Sequence, residues 1–128
     1  MSGRTFSEKA RIKPGTRIAL INSIPDVIES LHMPDVTFIE PADAESVFLF
    51  VRQRAELEDS LPAAAATLVP GVTLWVFFRK GSSSAGLDMN RDTIWASAET
   101  MGMRPVGLLS VDDAWSAFRL KLAPHPGP

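Results

Sequence analysis

The chain predicts an α/β protein, a three-layer sandwich around a mostly parallel sheet that closes with an antiparallel β-hairpin. Three observations predict it. Short apolar runs rich in branched residues recur along the 128 residues without polar alternation, as strands covered on both faces do. Helix-forming stretches separate them. The last two runs are joined only by Val111-Asp112-Asp113-Ala114, too short for a parallel crossover and long enough for a hairpin.

Each element follows in order. Lys13-Pro14-Gly15 is a turn signal, and Arg17-Ile18-Ala19-Leu20-Ile21 reads as a first buried strand. Pro25 suits a first helical turn, with Val27, Ile28 and Leu31 on one side of a helix ending near His32. Val36 to Ile39 and Ser46 to Val51 give a second and a third strand. Arg54 to Glu58 and Ala63 to Leu68 are helix formers flanking Leu61-Pro62, predicting either one helix or a turn between two. Val72 to Phe78 is the clearest strand. Asn90 caps a helix from Arg91 to Met101, and Gly102 stops it. Pro105 to Ser110 and Trp115 to Leu122 form the closing hairpin. The whole is a Rossmann-like single domain over residues 1–122, with a basic arm over 1–15 and a Pro-rich, disordered tail over 123–128.

Composition limits the function classes. Thirteen Lys and Arg against fifteen Asp and Glu give a net charge of −2, which excludes a general nucleic-acid binder. The total conceals a gradient: the segment from Met1 to Arg17 is basic, while that from Ile18 to Phe50 holds six acids and no Lys or Arg. There is no cysteine, so disulfides, thiolate metal sites and cysteine catalysis are excluded. The Arg- and Lys-rich start has no apolar core of a secretory signal, and the longest apolar stretch is far short of a membrane span. A cytoplasmic, soluble protein is expected.

In a parallel sheet, ligands lie beyond the carboxyl ends of the strands. The candidates there are Asn22 and Ser23 after the first strand, Arg52 and Arg54 after the third, and Arg79 and Lys80 after the fourth. These cations suit a small anionic metabolite, because arginine offers forked donors and lysine a point charge. Trp115 and Arg119 share a strand face and can wall such a site or form a cation–π contact. Glu40 stands where a dinucleotide fold places its ribose acid, but Asn22-Ser23-Ile24-Pro25 has no glycine to admit a pyrophosphate. Leu87-Asp88 follows Gly81 to Gly86 where a phosphate loop needs Lys and Ser or Thr. His32 and His125 have no metal-ligand spacing, and Ser116 lacks a nucleophile elbow. Asp112-Asp113 favours a turn over an acid/base pair. No motif calls for a metal or a cofactor.

Several short motifs stand in order: Lys13-Pro14-Gly15, Arg54-Ala55-Glu56-Leu57, Leu61-Pro62, Leu74-Trp75-Val76, Lys80, Asp88, Gly102, Asp112, and Trp115-Ser116 with Arg119. From about Phe6 to Leu122 they resemble a bacterial family of small proteins catalogued as a domain of unknown function. That family reads K-P-G, R-A-E-L, L-W-V-x-W-P-K, D-L-T and W-S-x-L-R. This chain departs from it at Phe78-Arg79, at Trp95, where members place an arginine, and at Gly107, where they place a lysine. The run of strand, helix, Pro-Gly, strand and hairpin is also similar to the later half of class I methyltransferases. That likeness implies a degenerate relative that has lost the cofactor.

The first expectation is therefore a non-catalytic module binding a small anion or a protein partner at the carboxyl edge of its sheet. The alternatives are a degenerate S-adenosylmethionine-dependent methyltransferase-like enzyme and a structural or assembly homodimer pairing through an exposed edge strand.

Overall fold

The computed structural model describes residues 5–69, 71–80 and 91–122. Helix α1, Phe6–Lys9, precedes β1, Arg17–Ile21, and α2, Pro25–Ser30. After β2, Thr37–Phe38, a single 3-10 turn at Pro41–Asp43 leads to β3, Ser46–Phe50. Then come α3, Arg54–Ala66, β4, Thr73–Arg79, and α4, Arg91–Thr100. The hairpin of β5, Met103–Ser110, and β6, Trp115–Leu122, closes the sheet.

The strands form one six-stranded sheet in the order β2-β1-β3-β4-β6-β5. Neighbours among β1 to β4 run parallel, and β6 is antiparallel to both β4 and β5. A single reversed strand in a Rossmann-like α/β sandwich is the architecture expected from the apolar runs and the short final turn.

Strand alternation sends the core to both faces. On one, Val47, Leu49, Leu74, Val76 and Phe118 pack with Leu57, Leu61 and Ala64 of α3 and Ile94 and Ala98 of α4. Positions 57, 61 and 64 recur at helical spacing, so α3 presents one apolar stripe. On the other, Phe48, Phe50, Trp75 and Phe77 meet Phe6 of α1 and Val27 and Leu31 around α2. The one-helix alternative holds for 54–66, which runs through Pro62 without a second helix.

Within the basic arm over 1–15, Thr5 and Glu8 form a reciprocal capping box, and Phe6 is fully buried. Phe6 meets Trp75 edge-on with ring centroids 5.0 Å apart, and Phe77 at 5.2 Å. The second strand is shorter than predicted, two exposed residues at the sheet edge, although the Ile39 amide still donates to the Ile18 carbonyl. An edge strand wetted on both faces has little apolar burial to extend it. The expected cap Asn90, the loop from Gly81 to Gly86 with Leu87-Asp88, and the tail over 123–128 lie outside the described residues.

Candidate functional site

The sheet order reverses between β1 and β3: β1 continues through α2 to β2 on one side, and the chain then crosses to β3 on the other. Such a switch point opens a crevice beyond the carboxyl ends of the two strands. Asn22 and Ser23 leave β1 here, and Arg52 leaves β3. Next along the rim, Arg79 and Lys80 end β4, which pairs with β3. The structure thus brings the sequence-predicted cations onto neighbouring strand ends.

Most of them are already engaged. Asn22 takes a positive φ of 56°, which asparagine tolerates, and its Nδ2 donates to Ser60 Oγ on α3 at 2.8 Å. The turn after β1 is thereby tied across to the helix that follows β3. Ser23 is exposed. The Arg52 amide donates to Glu56 Oε1 at 2.6 Å, and its Nη1 lies 3.4 Å from Glu56 Oε2. Arg54 Nε lies 3.8 Å from Glu58 Oε1. Both pairs are spaced i,i+4, the second within α3 and the first joining the residue before its cap to its first turn.

Lys80 serves the hairpin. Its Nζ donates to Ser110 Oγ and to the Asp112 carbonyl, each at 2.6 Å. Asp112 Oδ1 in turn accepts from the Ala114 and Trp115 amides, both at 2.8 Å. The acid is therefore a turn-former, as its place in a hairpin loop predicted. Trp115 opposes Arg79 in register and is buried in the core. Arg119 stands elsewhere: it opposes Trp75, four residues inward from Arg79, and its guanidinium carbon lies 5.8 Å from the Trp75 ring centroid. The cation–π partner is Trp75 rather than Trp115.

The remaining chemical candidates keep quiet roles. Ser116 is buried in β6, and His32 is exposed, with its carbonyl accepting from Ser7 Oγ. Glu40 follows β2 as its spacing required and is exposed. Among the described residues no group of His, Asp and Glu is placed to hold a metal ion. No helix among them is long and apolar enough to cross a membrane. A hollow of about 660 Å³ opens at the opposite end of the sheet, where Arg17, Glu45 and Gly71 line it. Another, of about 470 Å³, is bordered by Trp95, Val106, Leu108 and Phe118. It adjoins the edge strand β5, where a register shift between Pro105 and Gly107 interrupts the ladder. A bulge and a proline oppose edge-to-edge pairing.

Sequence reasoning missed Ser60, Trp75 as the floor beneath Arg119, and the partners of Lys80. Only the acids of α3 carried a signal, their four-residue spacing from Arg52 and Arg54.

No family model matches the chain, and no curated protein is similar to it in sequence. The resemblance to the small bacterial family thus has no family match behind it. Solved structures are more informative. The chain superposes on NcsB1, an O-methyltransferase of neocarzinostatin biosynthesis solved with S-adenosylmethionine, with a TM-score of 0.62 and 9% identity. That match covers 84% of this chain and 49% of the other, so this chain spans about half the length of that enzyme. It superposes on the tRNA methyltransferase TrmK of B. subtilis with a TM-score of 0.57 and 10% identity, over 96% of this chain and 67% of that one. A protein of the NADB-Rossmann superfamily from Streptococcus agalactiae gives a TM-score of 0.56 at 10% identity, over 100% and 72%.

The fold is that of Rossmann-like proteins, methyltransferases among them. At these identities the likeness is one of fold. The sequence pattern suggested a likeness to the later half of such enzymes; the superpositions cover 84% and 96% of this chain.

Proposed function

We propose that the protein is methyltransferase-like in a degenerate form. It keeps the sheet and switch point on which such enzymes are built and has lost the turn that admits the cofactor. The superposition on methyltransferases supports the first half, and favours this reading over a non-catalytic anion-binding module. The rim weakens that module further, since Arg52, Arg54 and Lys80 are held by groups of their own chain.

Asn22 carries the second half. A glycine at the turn after β1 lets a bound group approach the backbone. Here the turn reads Asn-Ser-Ile-Pro, its first residue is at positive φ with a full side chain, and that side chain bonds to Ser60. The residues of this turn do not fit S-adenosylmethionine, and no methyl-transfer step follows from them.

Calorimetry tests this reading with S-adenosylmethionine and S-adenosylhomocysteine against the wild type, Asn22→Gly and Asn22→Gly with Ser60→Ala. Wild-type binding is expected to be weaker than about 1 mM, and the double variant to bind about tenfold more tightly. Micromolar binding by the wild type would restore a competent cofactor site and overturn the degenerate reading. An unchanged double variant would mean that the turn is not what was lost.

A further inference from the structure

A second group of cations lies away from the rim, on the β5–β6 hairpin. Strand alternation puts Trp115, Ala117, Arg119 and Lys121 on one face of β6. Trp115 and Ala117 belong to the aromatic core under α1 and α2, which fixes which face this is. The antiparallel register sets Arg104 directly opposite Lys121, and Gly107 opposite Arg119. Directly opposed residues share a face. Arg104, Arg119 and Lys121 therefore stand together, toward the end of the sheet opposite the rim.

Their surroundings distinguish them from the rim cations. Among the described residues, the ion pairs are Arg17 with Glu45, Arg52 with Glu56 and Arg54 with Glu58; none involves these three. Arg119 Nε is buried and has no hydrogen-bond partner. A buried donor without an acceptor costs stability, and like charges directly across a strand pair repel. The fold thus carries two unfavourable features in one place. Access is open as well: Arg104 is exposed, and a Cβ built on Gly107 meets nothing within 4 Å.

We propose that this hairpin face binds a ligand bearing clustered phosphates, of the di- or triphosphate class. Arg119 and Lys121 are two residues apart on a strand, hence about 7 Å along it, with Arg104 across from Lys121. Three cations at that spacing exceed what one carboxylate neutralises and match adjacent phosphate groups. The two guanidinium groups supply forked donors and the lysine a point charge. A long polyanion is disfavoured, because the segment from Ile18 to Phe50 presents six acids with no Lys or Arg.

The test is thermal unfolding and calorimetry of the full chain with inorganic tripolyphosphate, against sodium chloride of equal ionic strength. Tripolyphosphate is expected to raise the wild-type Tm well beyond the salt control. Arg104→Gln with Lys121→Gln is expected to weaken binding about tenfold or more. Without ligand the same double variant is expected to melt higher than the wild type, since the opposed charges are gone. No wild-type shift beyond salt overturns the proposal, as does an undiminished shift in the double variant. A parallel titration with ATP identifies the source of the phosphates. Tighter binding than tripolyphosphate assigns a nucleotide, and equal binding assigns a bare oligophosphate.

Discussion

The rim and the hairpin face each gather cations, and they differ in what those cations touch. At the rim, Arg52 and Arg54 rest on Glu56 and Glu58, and Lys80 clasps Ser110 and the Asp112 carbonyl. On the hairpin face, Arg104, Arg119 and Lys121 have no ion pair among the described residues; Arg119 lies over the Trp75 ring, but its buried Nε has no hydrogen-bond acceptor among them. A positive charge at the expected place in a fold is therefore not yet a binding site. Cations paired with acids or acceptors of their own chain stabilise it; cations without an anionic partner are the better indication that an anion arrives.

Substitutions can break that contrast, and the largest effect is expected beneath Arg119. Trp75→Ala removes a buried ring that touches both Arg119 and Phe6, and should cost about 3–5 kcal/mol. Urea denaturation checks this; a cost below about 1 kcal/mol would mean that the aromatic cluster does not hold this face together. Next comes Lys80→Met, which removes two charge-assisted hydrogen bonds from the hairpin turn. A loss of about 1–3 kcal/mol is expected, discounted for exposure. If stability were unchanged while a rim ligand's affinity fell, Lys80 would be a binding residue and the contrast would fail. The smallest effect belongs to Arg54→Gln, an exposed pair at 3.8 Å, for which about 0.5 kcal/mol or less is expected. A larger change in urea midpoint would show that the rim pairs matter more than their exposure allows.

The central strands β3 and β4 were legible in the sequence because their burial is nearly continuous. Arg17 to Ile21 was bounded as the structure has it, since the turn at Gly15 and the polar Asn22 flank the apolar run from Ile18 to Ile21. The reversed strand was equally plain, because four residues cannot carry a crossover. Helix α1 was not predicted although Thr5 and Glu8 spell a capping box, because four residues are too few to show a helical hydrophobic period. What Phe6 packs on is set by strands far along the chain. The site was less legible for the same reason. Arg52 with Glu56 is a local pattern, whereas Asn22 with Ser60 and Lys80 with Asp112 join elements that only the sheet order brings together. The opposed pair Arg104 and Lys121 needs the hairpin register, which a bulge shifts.

Helix α1 has a consequence for the order of assembly. Phe6 precedes its ring partners in the chain: Phe48, Trp75 and Phe77 lie 42 to 71 positions later. Its niche does not exist until β3 and β4 have paired, so α1, made before them, has to wait for the sheet before it docks. During that interval the aromatic face of the sheet lacks its cover. A nascent chain stalled before β4 would hold Phe6 exposed, and a chain lacking α1 would leave Trp75 and Phe77 without the Phe6 ring after all else had folded.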